Sequence, residues 1–386
     1  MIFTPYAGED ICRRIEVPPI NVWRRTPNMV PRYPLDEAAW IWHPRLAIDE
    51  PGLVLFQLNF TAPRAEKITL HVSADLCFSL ALDGALIGRG PDSGDVHCWS
   101  FNAYEIELSA GEHRLEAWVW WASLPVAPTA RATWRGGFAC TGLGRRGDRF
   151  TTGKADWRVA CLEGMKWGNP LEGFHHVIGS GAQMDWVRLA RSERKWSHPE
   201  VVRAPVWTHE CGHVLEGWQL LPSKLPEQRH DTWRGGRVRA LLPRYTGSGK
   251  TKFDDEVSPA EVEEWDGLLQ RGDALTLKAG DKVTLLIDTE DYLCGYPQLE
   301  VSGGKGTRIG WQWAEALYET ENTTGAKGPR NEIRGKWFYG FGDEWKLDGE
   351  RRWLGAPWWR SGRFWRITLK VGNAPVTLHR LAVEQT

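Results

Sequence analysis

Four runs between residues 52 and 121, GLVLFQLNF, KITLHVSA, CFSLALDG and HRLEAWVWW, constrain this chain more than anything else in it. Each is short and rich in Val, Ile, Leu, Phe or Trp, and several alternate at period two before a turn signal. That period sends successive side chains to opposite faces of a strand. In CFSLALDG, Phe78, Leu80 and Leu82 share one face, and Asp83-Gly84 marks a hairpin turn. In HRLEAWVWW, Leu115, Ala117, Val119 and Trp121 share a face. Short strands at near-regular spacing predict an all-β fold with sheet packed on sheet.

The pattern recurs after an interruption. VPPINVWRRTPNMVPRYP reads as an extended lead-in, and strands follow through ATWRGGFACTG and the stretch around Trp157 to about residue 190. Residues 191–232 are punctuated by Pro199, Pro205, Pro222 and Pro226 and read as a connector. From 233 the strands return as GRVRALL, DKVTLLIDT, PQLEVSG, TRIGWQWAEAL, KWFYGFG, FWRITLKV and VTLHRLAV. In DKVTLLIDT, Val283, Leu285 and Ile287 face one way. SPAEVEEWDGLLQ is the best short helix, with Ser258 as N-cap, Pro259 at the first position and Glu261 completing a capping box. The expectation is two β-sandwiches with few short helices, over 1–190 and 233–386.

Composition excludes several classes. Lys+Arg 48 against Asp+Glu 49 gives a net charge of -1, without the basic footprint of a nucleic-acid binder. No run nears the ~20 apolar residues of a membrane span, and the N-terminus lacks the charged and apolar regions of a signal peptide. The seven Cys are scattered with no C-x-x-C pair, which argues against a disulfide framework or a cysteine zinc cage. A soluble protein without cofactor or bound metal is expected. Tryptophan is the outlier, 24 against 8 Tyr and 12 Phe. Trp fills sheet-to-sheet cores or forms exposed platforms for sugar rings, and most are expected in the core.

Several motifs offer chemistry and are weighed by their surroundings. HECGH, His209 to His213, fits the zinc pattern H-E-x-x-H. On a helix His209, His213 and Glu216 would share the polar side, opposite Trp207, Cys211, Val214 and Trp218. Catalytic zinc needs three protein ligands, and no third follows at the required spacing. GSGKT, Gly247 to Thr251, mimics the end of a phosphate loop, but Arg244 stands where its first glycine should be. His175-His176 has no acidic or cysteine partner at useful spacing. Acidic clusters lie at Asp254-Asp255-Glu256, Glu263-Glu264, and Asp288, Glu290 and Asp291, but sequence does not set the gap between two carboxylates that glycoside hydrolysis requires.

AAWIWHP at Ala38 to Pro44, Ser73-Ala74-Asp75, Asp83-Gly84, Ile87 to Pro91, Trp99-Ser100-Phe101-Asn102 and Leu108 to Glu112 follow one another in a recognisable order. So do LLPSKLP at Leu220 to Pro226, then GYPQLEVSGGKGTRIGWQWAEALYE, KGPRNEIRGKWFYGFGDEWKLDGE and WWRSGRFWRITLKV. Together they resemble the N-terminal β-domains of bacterial α-L-rhamnosidases of glycoside hydrolase family 78, with Asn102 replacing the usual Asp. The resemblance implies a galactose-binding-like, jelly-roll sandwich over 1–190, the connector over 191–232, and a concanavalin-like sandwich over 233–386. HECGH is not part of the family pattern.

In that family an (α/α)6 barrel carries the acid and base carboxylates of an inverting mechanism, and no positions here match them. The resemblance therefore implies an accessory region, inactive alone, that supports a catalytic barrel in cis or trans and takes rhamnose-containing glycan. No catalytic residue is assigned. Carbohydrate-binding or barrel-facing candidates in the family-like stretches are Glu315, Lys327, Arg330, Asn331, Glu332, Trp358, Trp359 and Arg360. Asp75, Asp83, Arg89 and Trp99 are weaker ones, and a structural role competes at every position. The rival readings are a stand-alone carbohydrate-binding protein and, remotely, a zinc protease. No nucleic-acid or membrane partner is expected.

Overall fold

The computed structural model describes residues 4–6, 11–20, 33–48, 50–92, 94–95, 98–121, 135–167, 181–192, 195–204, 218–322 and 325–386. HECGH and His175-His176 lie outside the described residues. The fold is all-β, with two short α-helices at Trp186–Ser192 and Glu263–Asp266.

The first sandwich follows from the alternating runs. A seven-stranded sheet orders Cys12–Ile15, Trp99–Leu108, Glu66–Asp75, Gly137–Gly142, Trp40–Trp42 and Glu200–Arg203, with Leu220–Pro222 beside Trp99–Leu108. A five-stranded sheet orders Arg158–Cys161, Gly52–Ala62, Gly111–Trp121, Cys77–Leu82 and Ala85–Gly90. Phe78, Leu80, Leu82, Leu115, Ala117, Val119 and Trp121 are all buried, as their parity demands. The two sheets meet through rings: Phe56 lies 4.8 Å from Phe138, and Phe78 6.4 Å from Tyr104. Asp83 and Gly84 take φ values of 51° and 84°, the left-handed pair that a tight hairpin requires.

The second half is an eleven-stranded sheet. Its main path runs Met165–Trp167, Ala182–Asp185, Phe341–Lys346, Arg308–Ala314, Arg360–Lys370, Lys282–Gly303, Val376–Gln385 and Thr232–Trp233. DKVTLLIDT and PQLEVSG, expected as two strands, form one strand of 22 residues with a register shift between Asp288 and Leu293, where Glu290 takes φ 67°. The first half of that strand pairs with Arg237–Leu242 and Arg360–Lys370, the second with Val376–Gln385 and Arg352–Leu354. It thereby carries the sheet into a second layer. Trp233 and Trp365 meet across the layers at 5.5 Å.

One element differs from expectation. SPAEVEEWDGLLQ is not a single α-helix but a 3-10 turn at Pro259–Glu261, an α turn at Glu263–Asp266 and a π turn at Gly267–Arg271, ended by left-handed Gly272. The capping pair is present: Ser258 N and Oγ both donate to Glu261 Oε2, at 3.1 and 2.7 Å. The cap fixes where the helix starts. Val262, Trp265, Leu268 and Leu269 are the buried side chains, and packing them against the sheet sets the pitch.

The chain crosses between the two halves more than once. Met165–Trp167 and Ala182–Asp185 belong to the large sheet, where Ala182–Asp185 runs parallel to Phe341–Lys346. Glu200–Arg203 and Leu220–Pro222 then return to the first sandwich, and Thr232–Trp233 joins the large sheet again.

Candidate functional site

A cleft of about 180 Å³ opens at the joint, lined by Phe78, Arg89 and Trp120 from the first sandwich and Tyr296, Trp358 and Trp359 from the second. Arg14, Asp92, Glu227 and His230 supply further charge to its wall. The hairpin strand Ala85–Gly90 turns Arg89 away from the sandwich core, opposite Ser79, while the buried Phe78 backs the wall from the core side, and the long strand Lys282–Gly303 supplies Tyr296. Trp358 packs edge-on against Trp120 at 5.0 Å and lies 6.1 Å from Trp359, tilted by 29°. The volume is below the ~300–1,000 Å³ of sites for drug-sized ligands and suits one small ring.

The polar floor centres on Glu384, which is 1% exposed and lies on the last strand. Arg89 pairs with its Oε1. His230 Nδ1 lies 2.9 Å from the same oxygen, and Gln298 Nε2 donates to Oε2 at 2.8 Å. The Arg89 guanidinium also sits 4.0 Å from the Tyr296 ring centroid, a cation–π contact. His230 stacks on Tyr6 at 3.8 Å, and its other nitrogen lies 3.8 Å from Glu227. Nearby, Arg14 and Asp92 stand 3.5 Å apart. Burial opposes ionisation of Glu384, but the Arg89 charge and the bonds from His230 and Arg89 outweigh it and hold the carboxyl at about 2. Burial pulls His230 downward, yet its hydrogen bonds to Glu227 and Glu384 win and raise its pKa. The floor is thus a charged, bonded cluster that fixes the joint, beneath a rim of aromatic faces.

The structure brings together three of the residues singled out from sequence: Arg89, Trp358 and Trp359 all line this cleft. Asn102 supports it, donating to the Arg89 carbonyl at 3.0 Å, a bond that the carboxylate usual at this position would not make. Glu315, Lys327 and Arg330 form a separate surface triad, with Glu315 oxygens 3.1 Å from Lys327 and 2.9 Å from Arg330. The Asn331 carbonyl accepts from Arg239 at 3.0 Å, and Glu332 is exposed. Arg360 is buried in a two-bond fork with Asp343, at 2.8 and 2.6 Å. Asp75 accepts from the Trp218 indole at 2.8 Å inside the first sandwich, and Trp99 donates to the Ala74 carbonyl at 3.1 Å. Asp83 holds His113 and the Arg114 amide, both at 2.7 Å.

GSGKT acts in a way opposite to a phosphate loop: Gly249 O and Thr251 Oγ1 accept from the buried Arg366 guanidinium. Among the described residues no group of three or more His, Cys, Asp or Glu is placed to hold a metal, and no helix is long and apolar enough to cross a membrane. Sequence reasoning missed Glu384, His230, Gln298 and Tyr296. Strand parity gave no signal for the first: a register shift between Leu378 and Arg380 puts Glu384 on the face opposite Val376 and Leu378.

No protein-family model matches the sequence, and no curated protein matches it. Solved structures do. The GH78 family rhamnosidase of Bacillus sp. GL1 superposes with a TM-score of 0.64 at 14% identity, over 90% of this chain and 55% of that one. The α-L-rhamnosidase from Aspergillus terreus gives 0.50 at 14% identity, over 89% of this chain and 36% of that one. The chain therefore spans about half the length of the first and about a third of the second. At that identity the likeness is one of fold, and in fold this chain is built like a β-rich part of a GH78 α-L-rhamnosidase.

Proposed function

We propose that this chain is the non-catalytic platform of a rhamnosidase-like glycosidase: two sandwiches, whose sequence boundaries near 190 and 232 are crossed by strands that pair with the other half, that support a helical catalytic barrel and seat a sugar ring at their joint. The observation that carries the reading is the fold likeness, which takes in nine-tenths of this chain but little more than half of the Bacillus rhamnosidase. The cleft supports the sugar-binding part. Trp359 offers an aromatic face for the apolar side of a pyranose, and Arg14, Asp92 and Glu227 offer donors and acceptors for its hydroxyls. Rhamnose, whose ring ends in a methyl group, suits a wall that also holds Phe78 and Pro357.

The purified chain is expected to give no turnover of an aryl α-L-rhamnoside and to bind a rhamnose-containing oligosaccharide in calorimetry, with binding lost in Trp359→Ala. Hydrolysis abolished by Asp92→Asn or Glu227→Gln would overturn the non-catalytic reading. Binding unchanged in Trp359→Ala would remove the sugar from the cleft.

A further inference from the structure

Three exposed cations stand in one line across the ends of the central strands of the large sheet, each at the first or last residue of its strand. In the ladder, Lys282 is directly opposite Lys370, and Lys370 directly opposite Arg308. The same row continues to Lys346, which is opposite Arg308 and paired with Asp185 at 2.9 Å. Residues paired in register point to the same side, so these four side chains share one face. Lys282, Lys370 and Arg308 are exposed and make no ion pair with the described residues.

Like charges placed directly opposite destabilise a sheet. Lysine commonly blunts sheet edges against unwanted pairing, but that purpose does not apply here. The strands Arg308–Ala314 and Arg360–Lys370 are both flanked on each side, so they have no open edge to protect. The next row on this face reads Thr284, Thr368, Gly310 and Glu344. Its one acid, Glu344, lies towards the end that Asp185 already neutralises. The segment around Arg244 and Thr246 covers this second row: Thr284 Oγ1 donates to the Arg244 carbonyl at 2.8 Å and accepts from Thr246 N at 3.2 Å. The result is a strip of repeated positive charge, one strand separation or ~4.8 Å per step, with the threonine row buried behind it.

We infer that this strip binds an anionic polysaccharide, its carboxylates meeting Lys282, Lys370 and Arg308 in turn as the polymer crosses the strands. A uronic-acid chain carries one charge per ring along an extended backbone, which matches a linear row better than a compact anion does. The near-zero net charge of the whole chain argues against a general polyanion attractor. The strip deepens the proposed glycan role and rests on it for the choice of a polysaccharide, but it lies apart from the cleft residues.

Affinity electrophoresis in alginate, a polyuronate without rhamnose, tests it, with dextran as the neutral polymer. The wild-type chain should be retarded by alginate at low salt and released at high salt. The double variant Arg308→Gln, Lys370→Gln should bind roughly tenfold more weakly. Its melting temperature should hold or rise, because the substitution relieves repulsion, which separates lost binding from lost folding. Lys154→Gln with Lys195→Gln, an equal charge change on exposed residues elsewhere, should leave binding intact. No retardation of the wild type, equal weakening by the control pair, or tighter binding of a single-stranded oligonucleotide than of alginate would each overturn the inference. Trp359→Ala should bind alginate normally, so failure of the cleft and failure of the strip are read separately.

Discussion

The two halves of this molecule solve the same packing problem with different materials. The first sandwich closes on rings and aliphatic groups: Phe138 meets Phe56 at 4.8 Å and Trp157 at 5.3 Å, and Trp40 stacks on Trp218 at 3.8 Å. The second places charge inside. Asp288, fully buried, receives Arg239 at 2.9 Å and Arg363 at 2.8 and 2.9 Å. Asp343 takes the Arg360 fork, and Arg366 is buried against Gly249, Thr251 and Gln312. Apolar burial is non-directional and tolerates small slips. A two-bond fork has one geometry. The first half is therefore held by area, and the second has its registers pinned where loops approach the sheet.

The contrast breaks first at Asp288. Asp288→Ala removes the buried carboxylate that two guanidinium groups share, and a loss of about 3–5 kcal/mol in chemical denaturation is expected. A loss below about 1 kcal/mol would mean that the forks are incidental. In the first half, Trp218→Phe keeps a ring against Trp40 but removes the indole donor from Asp75, and about 1–3 kcal/mol is expected. A cost above that of Asp288→Ala would reverse the comparison.

The joint between the halves should respond to pH more gently. Glu384 is held at about 2, so its contribution is present above its ordinary 4.5 and fades as pH falls towards 2. His230 is raised above its ordinary 6.5, so its contribution is full below 6.5 and fades as pH rises through the folded value. The melting temperature should therefore be highest between about pH 4.5 and 6.5, and the alkaline decline should disappear in His230→Gln. A wild-type profile flat from pH 6 to 8 would show Glu384 held by Arg89 without help from the imidazolium. The smallest effect belongs to the surface: Arg330→Ala, opening a half-exposed pair with Glu315, should cost less than about 1 kcal/mol.

Strand identity was legible because one parity of each run is apolar, Phe78, Leu80 and Leu82 or Val283, Leu285 and Ile287, although the structure also buries Thr284, Leu286 and Asp288 on the other face. The tryptophans also followed composition. No described Trp side chain is exposed, and Trp196, Trp233, Trp337, Trp353, Trp358 and Trp359 are the half-buried ones. Pairing was less legible. Nothing in MKW or AQMD says that these short segments join a sheet whose partners lie beyond residue 340, since that choice is made by tertiary contacts such as the Asp343 carboxylate accepting from Ala182 N. The cleft was half legible. Arg89, Trp358 and Trp359 stood out as side chains of the right type, but their meeting depends on Glu384 and His230, 154 residues apart in sequence. HECGH, the motif with the most obvious chemistry, lies in the stretch expected to connect the sandwiches.

The parallel pairing of Ala182–Asp185 with Phe341–Lys346 has a consequence for how the protein comes into being. Contacts of this kind close a loop of about 160 residues, and folding slows as such distant contacts accumulate. On a ribosome adding ~5–20 residues per second, the earlier strand waits on the order of 10–30 s for its partner to be made. During that interval the first sandwich can close its own sheets while Ala182–Asp185 presents an unsatisfied edge. Synthesis, rather than collapse, then sets the order in which the two halves are finished.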